Sequence, residues 1–261
     1  MGMHRIDGLI LDMDGVLWRG PRVMPGLATF FQAIRRLRAG FILATNNSTR
    51  TVGQYVDKLA GLGVQVRPEQ VLTSAYASAD HLLGMTERGA KVYAVGEEGL
   101  DAALESRGFR LAADGAQFVI AGLDRAFTYR KMATAATLIR KGARFIGTNP
   151  DLTLPTPSGP LPGAGAVLAA ISAACGIEPT IVGKPEPLMF QQALAWLGTD
   201  PERTAVVGDR LETDILGGKN AGVRTILVLS GVTSKELLAE SPIRPDWVFD
   251  DIGALSTALE R

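Results

Sequence analysis

Apolar, strand-like runs and amphipathic, helix-like stretches alternate from one end of this sequence to the other, and this alternation constrains the fold more than any other feature. The pattern predicts an α/β architecture with mostly parallel strands, because parallel neighbours need a crossover and a helix is the usual one. The first alternation has strands at 6–11, 40–44 and 71–72, with helices at 25–39, 51–62 and 75–83. A second has strands at 91–95, 118–121 and 144–147, with helices near 99–106, 129–141 and 163–174. The third runs helix 188–197, strand 204–207, helix 214–221, strand 225–229 and a last strand at 247–249. A chain of 261 residues exceeds the usual size of one domain, and turn residues gather at 84–89 and 176–187. The expected organisation is a Rossmann-like parallel-sheet core made of residues 1–75 and 182–261, with a second α/β domain, 76–181, inserted into it.

Charge excludes several classes of partner. Lys plus Arg equals Asp plus Glu at 27 each, and no basic run is interleaved with aromatics, so the field that draws in nucleic acid is missing. The N-terminus shows no basic segment followed by an apolar stretch and a small-residue cleavage site, and the apolar segment 163–177 is too short to span a bilayer. Cys175 is the single cysteine, which excludes an intrachain disulfide, fits a reducing compartment and reads as a small core residue. The expectation is a cytoplasmic protein that engages neither nucleic acid nor membrane, as a single chain or a homodimer.

Four stretches carry chemistry. In LILDMDGVLW, the carboxylates of Asp12 and Asp14 follow a buried strand, at the end of the sheet where open α/β folds bind ligands. Two like charges there cost stability unless a cation or a proton compensates them, although Asp14-Gly15 is also a common turn pair. In FILATNNSTR, a strand ends in Thr45, Asn46 and Asn47, whose hydroxyl, amide and N–H groups can donate to an anion or simply cap a helix. In IVGKPEP, Lys184 sits between Gly and Pro, either beside a negative group or solvated. In TAVVGDRLETDILGGKN, Asp209 ends a strand and Asp214 begins a helix. Asp214 alone would suit the helix dipole, but a third carboxylate at the strand ends points to a hard cation, with magnesium the best fit.

Taken in order, D-x-D-G, the Thr after a strand, the Lys and GD-x-x-x-x-D resemble the four motifs of the haloacid dehalogenase (HAD) superfamily. The residues between the Thr and Lys motifs are similar to the large α/β cap of its NagD-like, p-nitrophenyl phosphatase branch, in whose style are ATNNST, GTNPD, PGAG and GKPEP. The resemblance implies a magnesium-dependent phosphatase acting on a small phosphate ester of the sugar phosphate, phosphoglycolate or nucleoside monophosphate class. It makes Asp12 the nucleophile that forms an aspartyl-phosphate, and Asp14 the acid and base. Thr45 and the N–H of Asn46 would hold phosphoryl oxygens, with Asn47 beside them, and Lys184 would neutralise phosphate and nucleophile. Magnesium would be bound by Asp12, the backbone carbonyl of Asp14 and Asp209, with Asp214 behind them. A phosphomutase and a catalytically silent protein that binds a phosphorylated ligand are the alternatives.

The remaining signals are weaker. Pro162-Gly163-Ala164-Gly165-Ala166 looks superficially like a dinucleotide fingerprint, but prolines precede it where a strand is required and Leu168 stands where the third small residue should be. The segment 149–163, NPDLTLPTPSGPLPG, reads either as a Pro-stiffened surface loop or as a source of leaving-group contacts from Asn149, Asp151 and Thr153. His4 and His81 belong to no motif, and Trp18 reads as a packing residue or a substrate gate.

Overall fold

The run Gly8–Leu11, GLIL, is apolar and buried along its whole length, as a strand covered on both faces of a parallel sheet must be. In the computed structural model, which describes residues 6–156 and 159–260, it lies inside a six-stranded sheet. The order is Trp247–Phe249, Arg224–Val228, Thr204–Gly208, Gly8–Leu11, Gly40–Thr45 and Val71–Thr73. Both neighbours of Gly8–Leu11 are parallel to it, and Leu11 is level with Val207 on one side and Leu43 on the other. The Asp12 N–H then donates to Val207 O at 2.8 Å, so Asp12 is fixed by the sheet's last rung.

This sheet belongs to the first of two compact units, made of the chain up to Thr45, Val56–Leu72 and the chain from Lys184 onward. Helix Leu27–Leu37 turns Leu27, Phe30, Phe31 and Ile34 inward at helical spacing, packs on helix Ile252–Leu259, and stops where Arg38 takes a left-handed conformation. Helix Pro187–Leu197 packs against strand Gly40–Thr45 and buries Met189, Phe190 and Ala193.

The second unit comprises Asn46–Tyr55 and Thr73–Gly183. Its five-stranded sheet has the order Thr180–Ile181, Arg144–Gly147, Phe118–Ala121, Lys91–Val95, Arg110–Leu111, and every pair is parallel. Val95, Val119, Ile139, Phe145, Leu168 and Ile171 form its core, and Cys175 packs against them as a small apolar side chain. The Asn46–Tyr55 segment, read from sequence as part of the first domain, groups here for a local reason. Gly99 N–H donates to Thr49 O, Ser74 Oγ to Asn46 O, and a Cβ on Gly99 would meet Arg50 O at 2.4 Å.

Short elements depart from the sequence reading. Trp18–Arg19 and Arg22–Val23 form a hairpin, and Thr153–Thr156 pairs antiparallel with Gly159–Pro162 where a loop was expected. The prolines there have no N–H to give a ladder, which a two-stranded ribbon tolerates and a central strand does not. Pro157 and Ser158 of that segment, and His4, lie outside the described residues. Among the described residues no helix is long and apolar enough to cross a membrane.

Candidate active site

The strand that carries the first motif ends at Leu11, so the alternation of faces does not continue to Asp14. Asp12 is buried and Asp14 is exposed. Val16, Leu17 and Trp18 N–H groups turn back on Met13 O, and Gly15 adopts φ +90°, which only glycine takes without strain. The Asp14 carboxylate points out of the buried cluster and its Oδ1 accepts from Trp18 Nε1 at 2.7 Å.

Around Asp12 the first unit gathers a buried set of charges. Lys184, only 3% exposed, donates to Asp12 Oδ1 at 2.5 Å, to Asp214 Oδ1 at 2.7 Å and to Ala44 O at 3.1 Å. All three ammonium protons therefore have acceptors. Burial alone would lower its pKa, but the two carboxylates outweigh that and hold it well above the usual lysine range. Oxygens of Asp12, Asp209 and Asp214 lie within 4.8 Å of one another, and all three residues are buried. Burial, with the neighbouring carboxylates, pushes Asp12 up despite Lys184, and pushes Asp209 to about 7. Three carboxylates gather at one ammonium that bonds only two of them, so acidic groups are in excess, and the donors are all oxygen. That set fits a small hard divalent cation such as magnesium. The carboxylate of Asp14 does not belong to the group.

Local backbone explains how these side chains are held. Leu211–Ile215 is a π turn rather than the plain helix start expected at Asp214, with the Asp214 and Ile215 N–H groups both reaching Arg210 O. The widened turn swings Asp214 back over Gly208, where an added Cβ would sit 2.1 Å from Asp214 Cβ, and lets Asp214 Oδ2 accept from Arg210 N–H. Asp209 is wedged between two glycines: a Cβ on Gly15 would meet its Oδ2 at 2.3 Å, and one on Gly231 at 1.9 Å. Val232 N–H donates to Asp209 Oδ2 and Ser230 Oγ to Gly15 O, each within 2.8 Å. Sequence reasoning missed this Ser230–Val232 segment. Its signal was a cluster of small residues, SGVT, directly after a buried strand, the same context as the other motifs.

Thr45 is buried at the end of Gly40–Thr45 in the first unit, whereas Asn46 and Asn47 belong to the second. There Asn46 Nδ2 donates to Asp151 Oδ2 at 3.1 Å, and Asn149 Nδ2 donates to Asn46 O at 2.7 Å. Asn149 Oδ1 in turn accepts from Asp151 N–H. Asn47 Oδ1 is engaged by the N–H and hydroxyl of Thr49. The PGAG glycines serve this network: Gly163 and Gly165 N–H groups donate to Leu152 O and Asp151 O, and a Cβ on either would strike the 150–151 backbone. Close backbone approach, and no dinucleotide, accounts for them. His81, on helix Ser74–Leu83, takes no part.

Residues 9–110 match the family model described as haloacid dehalogenase-like hydrolase, and residues 181–255 match the HAD-hydrolase-like model. The chain is also 37% identical over 250 residues to a Bacillus subtilis protein named 5'-nucleotidase YutF, covering 96% of this chain and 97% of that one. The chain belongs to the haloacid dehalogenase-like hydrolases. As a HAD hydrolase it is an enzyme, and its likeness extends to solved structures. A 4-nitrophenylphosphatase from Thermotoga maritima superposes with TM-score 0.94 at 37% identity, over 98% of each chain. NagD from E. coli K-12 gives TM-score 0.87 at 38% identity, covering 97% of this chain and 98% of that one. The NagD-like branch read from the motifs is thereby the right one.

Proposed function

We propose that this HAD hydrolase is a magnesium-dependent phosphatase that cleaves small phosphate esters, of the sugar phosphate, phosphoglycolate or nucleoside monophosphate class, through an aspartyl-phosphate on Asp12. The buried contact of Lys184 with both Asp12 and Asp214 carries this reading. Lys184 occupies Asp12 Oδ1, which leaves Oδ2 as the attacking atom. As Oδ2 bonds to phosphorus, the ester bond breaks and the Asp14 proton goes to the leaving oxygen. Asp14 then takes a proton from water, whose oxygen attacks phosphorus, releasing phosphate and Asp12. Thr45, Asn46 and Lys184 stabilise charge on the phosphoryl oxygens, which is most of what phosphoryl transfer asks of a protein. Asp214 orients Lys184. Magnesium held by Asp12, the Asp14 carbonyl and Asp209, with Asp214 behind, would supply charge neutralisation at the phosphoryl group. Asn149 and Asp151 are assigned to recognition of the leaving group, with Asn47 shaping the Asn46 turn.

Hydrolysis of p-nitrophenyl phosphate with and without a chelator tests the reading, and turnover is expected to vanish when the metal is removed. Persistence of full activity in excess chelator would exclude a metal role. Stability gives an independent check. The folded Asp209 carboxyl keeps its proton to about pH 7, whereas an unfolded one releases it near the ordinary aspartate value of 3.8. The native state thus binds more protons between those values, and the chelated protein loses stability as pH rises through that window. Its melting temperature is expected to be lower at about pH 8 than at about pH 5, with magnesium closing the gap.

Gly231→Ala tests the wedge around Asp209. The added methyl must displace the carboxylate or the loop, so turnover is expected to fall by about 10²-fold, with a raised magnesium requirement. An alanine variant that keeps the wild-type magnesium dependence would show that Asp209 is not held this way.

A further inference from the structure

Trp18 is a large buried side chain of the first unit, next to the first motif, that the reaction as written leaves unused. It is only 1% exposed, yet it does not simply fill the core. Its Nε1–H donates to Asp14 Oδ1 at 2.7 Å, Gly15 N–H donates to its carbonyl at 2.6 Å, and strand pairing sets Trp18 opposite Val23. The Lys58 ammonium stands 3.5 Å from the centroid of its ring. The indole is therefore fixed through its backbone, its hairpin partner and one ring face, and it presents one donor to one carboxylate oxygen. Asp14 itself is the exposed residue of an otherwise buried segment beyond the strand, where a carboxylate on free rotors would spread over several positions.

From this geometry we infer that Trp18 is a positioning residue for Asp14, holding one carboxylate oxygen so that the other delivers and recovers the proton of the leaving group. The inference rests on the phosphatase reading above. Lys58 serves it indirectly, by attraction to the ring face that keeps the indole plane in place. The role concerns proton delivery, so it makes a demand that packing alone does not. An alkoxide cannot leave without a proton, whereas p-nitrophenolate departs readily as the anion. Loss of the Nε1–H should slow alkyl phosphates selectively.

The experiment compares kcat/KM, which reports the steps up to formation of the aspartyl-phosphate and so leaves out the water attack common to both esters, for glycerol phosphate and for p-nitrophenyl phosphate in wild type, in Trp18→Phe, and in protein carrying β-(3-benzothienyl)alanine at position 18. The last replaces N–H by sulfur and keeps the bicyclic shape, so it covers the case in which phenylalanine unfolds the protein. Both replacements are expected to lower kcat/KM on the alkyl ester by about tenfold, the worth of one well-formed hydrogen bond, and on the aryl ester by far less. The wild-type Trp18 indole N–H proton resonance should also move upfield in Asp14→Ala, as it loses a carboxylate acceptor. Equal slowing of both esters, no slowing of either, or an unmoved resonance overturns the positioning role while the phosphatase stands. A wild type that turns over neither ester overturns the functional reading itself.

Discussion

Asp12→Asn is expected to fold, to melt near the wild-type temperature and to hydrolyse p-nitrophenyl phosphate at least about 10⁴-fold more slowly, as losses of covalent nucleophiles do. The amide keeps the shape of the carboxylate and can still accept from Lys184 through its oxygen, so the cluster loses one charge and little packing. Burial and two neighbouring carboxylates already push Asp12 toward its neutral form, which is why neutralising it should cost the fold little. The reaction, by contrast, loses its attacking atom and one of the oxygens proposed for the metal. Steady-state assays beside a thermal melt decide the matter. A folded, active Asp12→Asn would end the aspartyl-phosphate mechanism.

Lys184→Met should do the opposite to the balance between fold and chemistry. Methionine fills most of the volume but leaves Asp12 and Asp214 facing each other, with Asp209 beside them, and no buried cation. Removing one partner of a buried ion pair costs about 3–5 kcal/mol, because the remaining charge must be neutralised or hydrated in place. The variant is therefore expected to lose that much stability in denaturant titration at neutral pH. The loss should shrink in acid, where the carboxylates take up protons instead. Stability equal to wild type at neutral pH would mean that Lys184 does not hold this cluster together.

Much of the first unit's site was legible in the sequence because each motif follows an apolar run, and a run such as GLIL or TAVVG leaves its next residue at the end of a buried strand. Asp12, Thr45 and Asp209 could be read that way, and Lys184 and Asp214 came with the motif order. The orientation of Asp14 could not. It depends on where the strand stops, and the stop at Leu11 is made by hydrogen bonds back to Met13 O and by the left-handed Gly15. The π turn at Leu211–Ile215 was hidden for a related reason: LETDI has ordinary helical propensity, and the extra residue per turn answers to the need to fold Asp214 onto Gly208. Ser230–Val232 carries no chemical signature, and its value lies in backbone groups and the space left by Gly231. In the second unit, Asn149 and Asp151 were read as leaving-group contacts, and the structure joins them to Asn46 by side-chain bonds that no local pattern encodes.

The central strand Gly8–Leu11 has one neighbour from early in the chain, Gly40–Thr45, and one from very late, Thr204–Gly208. A growing polypeptide can thus close one side of that strand soon after it leaves the ribosome, while the other side stays an open apolar edge until some two hundred residues have been made. The partners of Asp12 in the charge cluster, Lys184 and Asp214, arrive only with the last third of the chain. Assembly of the charge cluster is therefore a late event in the life of the molecule, tied to closure of the sheet. No shortened product of translation that ends before Lys184 can carry the complete charge cluster.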